Sequence, residues 1–112
     1  MSFEVKVMPQ AKDDLRGIYE YIAYELQASG NASNQLDRLE EHILKLDTFP
    51  TGYPLYSNEP WKSRGLRFMP IDNYVAYFLP NAVTGIVSVL RVFLGKGDGD
   101  YQFKNHSEFY FW

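Results

Sequence analysis

Apolar and polar residues alternate at the start of the chain and then change period. In FEVKVM, Phe3, Val5 and Val7 point one way and Glu4 and Lys6 the other, the two-residue repeat of a short strand. Pro9 suits the first turn of a helix, where its missing N–H is not needed. From there Ala11, Leu15, Ile18, Tyr19, Ile22 and Leu26 recur at helical spacing, while Lys12, Asp13, Arg16, Glu20 and Tyr24 fall elsewhere round the wheel. QASGNAS then stops one helix and starts another, with Asn31 or Ser33 as its N-cap. Leu36, Leu39, Ile43 and Leu46 form the second apolar stripe, which ends at Phe49-Pro50. The stripe covers under two heptads, so core packing explains it better than a coiled coil. A short loop between two such helices predicts an antiparallel hairpin.

TFPTGYPLYSNEP, rich in proline, reads as an irregular connection over the surface. Three β-rich runs follow, SRGLRFMPI, NYVAYFLP and TGIVSVLRVFLG, separated at Asp72-Asn73 and Pro80-Asn81-Ala82. They predict a three-strand antiparallel meander. Strand, helix hairpin and meander in that order predict an α+β domain, with the two helices on one face of a twisted antiparallel sheet. The other face must then be polar, covered or functional.

With 112 residues, 46% of them hydrophobic, the chain suits one domain rather than two cores. The absence of cysteine excludes disulfides, thiolate nucleophiles and the common structural zinc sites. The start MSFEVKVMPQ lacks a signal-peptide core, and no run approaches the roughly 20 apolar residues that span a bilayer. A cytoplasmic location without membrane contact is the expectation.

Charge divides the chain. Residues 1–60 carry five Lys/Arg against ten Asp/Glu, whereas residues 61–112 carry six against four, so a net charge of -3 conceals a basic second half. Within residues 62–96, Lys62, Arg64, Arg67, Arg91 and Lys96 are accompanied by one acid, Asp72. Strand alternation puts Arg67 with Met69 and Ile71, Arg64 with Leu66 and Phe68, and Arg91 with Val87, Val89 and Phe93. Gathered round one concave surface, such cations suit phosphates. GKGDGDYQF does not match a phosphate-loop pattern, and turn glycines explain it. Glu40, Glu41 and His42 are neighbours on a helix and diverge, so no metal site is expected. His106 has no Ser or Cys partner for a triad.

The succession MPQAKDDLRGIYEYIA, LDRLEEHILKLDTFP, SRGLRFMPIDNYVAYFLP and IVSVLRVFLGKGD resembles the RelE/ParE superfamily of bacterial type II toxins over roughly residues 3–100. The likeness includes the P-x-A-x-x-D-L opening, the L-x-x-F-P end of the second helix and the G-L-R start of the meander. It implies the fold above and two activities. RelE-like members cut mRNA in the ribosomal A site without metal; ParE-like members poison DNA gyrase; a cognate antitoxin wraps around and neutralises both. Cleavage in the RelE manner, the leading expectation, implies Arg67 and Arg91 as phosphate-stabilising groups, Lys96 as a proton-transfer group and Tyr101 as a stacking or acid residue. Lys62 and Arg64 would bind RNA phosphates, and no cofactor is needed. This chain departs from the RelE pattern with Tyr74-Val75 in place of Tyr-Arg, and with Leu94 and Lys96-Gly97 in place of a histidine and paired basic residues. A gyrase poison without catalytic activity of its own, or an inactive partner-binding relative, is the alternative.

Residues 101–112, YQFKNHSEFYFW, hold six aromatics and read as a tail beyond a toxin domain of residues 1–100. A segment so apolar should lie against something, either the chain's own sheet or a partner.

Overall fold

The computed structural model describes residues 2–95. Strand β1 (Glu4–Val7) leads into helix α1 (Pro9–Glu20), with Pro9 at the first helical position as its lack of an N–H favours. Helix α2 (Ser29–Leu44) returns beside α1, and a 3₁₀ turn at Lys45–Asp47 follows it. The connection then holds a short helix α3 (Trp61–Arg64), before strands β2 (Arg67–Ile71), β3 (Tyr74–Asn81) and β4 (Ile86–Leu94).

The expected α+β arrangement is present, with one difference in the sheet. The order is β1-β4-β3-β2, in which β2, β3 and β4 form the antiparallel meander and β1 lies parallel to β4. The sheet is therefore mixed. The helix hairpin makes the crossover that a parallel pair requires.

Both helices lie on one face. Ala11 and Leu15 from α1, and Leu39 and Ile43 from α2, are buried against Met69, Ile71, Ala76, Phe78, Val87, Val89 and Val92. Each fully buried leucine or isoleucine in such a core contributes about 1.5–3 kcal/mol by leaving water.

Three local departures from the periodic pattern have physical causes. First, regular α-helix ends at Glu20, and a wider π-helical turn spans Tyr21–Glu25, where the Leu26 amide donates five residues back to the Tyr21 carbonyl. The wider turn brings Ala23 inward and leaves Leu26 exposed, although the stripe had placed it in the core. Second, α2 begins at Ser29, earlier than Asn31 or Ser33, because the chain reverses at Gln27, in the left-handed region. Third, Ser63 and Arg64 belong to α3 rather than to a strand. Glu59 accepts hydrogen bonds from the Ser63 amide and hydroxyl at 2.8 and 2.6 Å, and Gly65 ends the helix at φ 87.

Candidate functional site

The face opposite the helices is covered by a second apolar cluster. Tyr56, Trp61 and Leu66, all from the connection, are buried against Tyr77 and Leu90 of the sheet. Segment 54–56 is tied to the β2 edge by the Tyr56 amide on the Leu66 carbonyl and the Phe68 amide on the Pro54 carbonyl. The prolines and glycine read as an irregular loop thus bring a large indole to the sheet.

The second-half cations are distributed about this framework. Arg64 lies with its guanidinium carbon 5.3 Å from the Trp61 ring centroid, and Lys62 is exposed on the same short helix. Arg91 lies 4.4 Å from the Phe93 ring centroid. Its Nε and Nη2 donate to the two oxygens of Asp14 at 2.7 and 2.8 Å, and the Val92 amide donates to Asp14 Oδ2 at 2.9 Å. The pair is largely buried, with side chains 18% and 13% exposed.

A β-bulge explains where Arg91 sits. Tyr77 pairs with Arg91 while Phe78 pairs with Val89, so Leu90 is an extra residue and the alternation changes phase there. Val87 and Val89 enter the helix-side core, whereas Leu90 and Phe93 join the far-side cluster. Arg91 shares the face of Tyr77 and Phe93, a correction to the expectation that grouped it with Val87 and Val89. Arg67 takes the opposite face. It pairs with Phe78, shares the side of Met69 and Ile71, and donates from Nη1 to the Tyr53 carbonyl. Arg67 and Arg91 are thus two strands apart, roughly 10 Å, and on opposite faces of the sheet. The structure brings Arg64 and Arg91 to one face and does not bring Arg67 to them. Lys96 and Tyr101 lie outside the described residues.

Two acids have roles that were not read from the sequence. Asp14 is the acid of the P-x-A-x-x-D-L opening, and its position one residue before Leu15 of the core stripe was the available signal. Asp72, at the first position of the β2–β3 turn with φ 56, accepts from Nε and Nη2 of Arg38 at 2.8 Å each and from Gln35 at 3.0 Å. The Arg38 and then the Gln35 hydrogen bonds hold its carboxyl at about 2, below the usual carboxylate range. This clamp fastens α2 to the meander. Among the described residues no three His, Asp or Glu side chains gather at a metal-binding point. His42 Nδ1 lies 2.7 Å from the Arg38 carbonyl on its own helix.

An open groove of about 650 Å³ runs between α1 and α2. Leu15, Leu36, Ile43 and Leu44 give it an apolar lining, and Lys12, Arg16 and Glu40 put charges round it. Leu44 is 63% exposed. Its size and lining suit an apolar helix face better than a polar reactant.

The sequence matches, over residues 5–99, the model of a family described as ParE toxin of type II toxin–antitoxin system, parDE. No curated protein matches it. Among solved structures, the fold is similar to a chain of the chromosomal ParDE toxin–antitoxin system from P. aeruginosa, with TM-score 0.71 and 18% identity, covering 85% of this chain and 98% of that one. It is also similar to a chain of the toxin–antitoxin complex RelBE2 from Mycobacterium tuberculosis, with TM-score 0.62 and 17% identity, covering 84% and 99%. At these identities the structural likeness concerns the fold.

Proposed function

This chain belongs to the ParE toxin family of type II toxin–antitoxin systems, and from that premise we propose that it arrests growth by binding DNA gyrase rather than by cutting RNA. The observation that carries this reading is the placement of Arg67 and Arg91. A cleaved phosphodiester passes through a crowded anionic phosphorane, and donors act on it when they converge at about 3 Å. Two arginines leaving opposite faces of one sheet do not converge. Arg91 is also bound to Asp14, so its charge is already compensated within the fold. A non-catalytic inhibitor needs no convergent set, and a net charge of -3 opposes ribosome binding more than it opposes binding a protein.

The partner that neutralises the toxin is, in this reading, a cognate antitoxin, because the similar chains come from toxin–antitoxin assemblies. We assign it the groove between α1 and α2, whose apolar lining and mixed charges match an amphipathic helix.

Ribosome-dependent mRNA cleavage is the second reading, and one observation favours it. Arg64 and Arg91 both lie against aromatic rings of the far-face cluster, so a phosphate site there would draw on Lys62, Arg64 and Arg91.

Induction in a bacterium lacking the antitoxin separates the readings. Thymidine incorporation falling before amino-acid incorporation is the result expected for gyrase. An early fall in amino-acid incorporation, with new mRNA ends, would overturn the proposal.

A further inference from the structure

The closed end of the helix hairpin runs past the sheet it covers. Ile18 of α1 and Leu36 of α2 still pack on the helix-side core, but no residue from 19 to 35 belongs to either apolar cluster. Gln35 and Arg38 reach the Asp72 turn at the end of the sheet, so residues 29–34 carry α2 roughly 9 Å farther. Beyond that point the two arms hold each other, with Ala23 and Ala32 buried and the π-helical turn packed on both helices.

The outside of this tip is apolar and its backbone is closed. Tyr21, Tyr24 and Leu26 are 57%, 70% and 56% exposed. The Leu26 and Ala28 amides donate to the Tyr21 and Ile22 carbonyls at 3.2 and 3.1 Å, which fixes the segment that carries them. Tyrosine is a preferred anchor of protein contacts, since it offers a large ring and a hydroxyl with two torsions to immobilise. Charge then says what the tip fits. Residues 17–37 contain Glu20, Glu25 and Asp37 and no Lys, Arg or His. Among the described residues, none of these three acids has an ion-pair partner.

We propose that the hairpin tip docks on a cationic surface of gyrase, of the kind that grips DNA. An enzyme that holds DNA neutralises phosphates with Lys and Arg side chains. Those side chains donate to carboxylates such as Glu20 and Glu25, and guanidinium groups also stack on rings such as Tyr21 and Tyr24. The contact rests on the gyrase reading above and gives that reading its surface.

Titration calorimetry of the full chain with purified gyrase, at low and at moderate salt, tests it. Tyr24→Ala should weaken binding at least about tenfold. Glu20→Lys combined with Glu25→Lys should also weaken it and lessen its dependence on salt. The same charge change made by Glu4→Lys with Glu41→Lys, both exposed and away from the tip, should leave the affinity close to that of the unsubstituted chain. The substituted side chains are all exposed, and an unchanged Tm shows that each variant folds. Tip variants that bind like the unsubstituted chain would overturn the contact and leave gyrase as the target. Equal weakening by the two charge pairs would assign the effect to net charge and overturn the contact as well. No binding by the unsubstituted chain would overturn both the contact and the gyrase reading.

Discussion

Asp14 accepts three hydrogen bonds at once, from Nε and Nη2 of Arg91 and from the Val92 amide. β1 pairs with β4 only as far as Val89, and Asp14 takes up the next edge amide that would otherwise face the helix unsatisfied. Asp14→Ala should cost about 2–4 kcal/mol in urea unfolding, since it leaves a largely buried cation and an amide without this acceptor. Asp14→Asn keeps one acceptor oxygen, so roughly half that loss is expected. Equal losses for the two substitutions would mean that charge, not hydrogen bonding, carries the contact. Asp72 offers a pH test. Its folded carboxyl titrates at about 2, below the unfolded range, so its stabilisation is complete above about pH 4 and is lost as pH falls toward 2. Asp72→Asn tolerates the same left-handed turn and should flatten the fall in Tm across that window. The Arg38–Asp72 pair is substantially exposed, so added salt should reduce the difference.

α3 and the connection around it show what an element adds that its length does not suggest. Trp61 is the largest fully buried side chain among the described residues and joins the connection to the far face. Trp61→Ala should cost about 3–5 kcal/mol and increase amide exchange over residues 53–66 before the helix-side core responds. Simultaneous loss of protection in both regions would show that the two clusters open as one. Much of the fold was legible because its cause is local. Ala11, Leu15, Leu39 and Ile43 repeat at helical spacing, and their inward positions follow from that repeat alone. The pairing of β1 with β4 was not legible, since nothing in EVKV names its neighbour. The bulge was equally hidden, because Val89, Leu90, Arg91 and Val92 are all acceptable in a regular strand, and only tertiary packing puts Leu90 on one side and Val92 on the other. The candidate site depended on that phase. One inserted residue moved Arg91 to the far face and gave it Asp14, a residue 77 positions away, as its partner.

Over the whole molecule, the two faces of the sheet carry different assignments. The helix side presents the groove, and the far side presents Arg64 and Arg91. Leu44, exposed at the groove, tests the first assignment without disturbing the core. Leu44→Asp should weaken antitoxin affinity by at least about tenfold, or about 1.4 kcal/mol, while Tm and growth inhibition in the absence of antitoxin persist. Unchanged affinity in titration calorimetry would move the antitoxin to another surface. The parallel pairing of Glu4 with Ile86 and Val7 with Val89 has a further consequence during synthesis. Among the described strands, translation delivers β1 first and its neighbour β4 last, with both helices and the meander's first two strands in between. The N-terminal strand therefore waits, unpaired, through most of elongation. The α1–α2 hairpin likewise emerges before the sheet it covers, so a ribosome stalled ahead of residue 86 holds a chain that cannot close its sheet, and the active shape appears only once β4 is made.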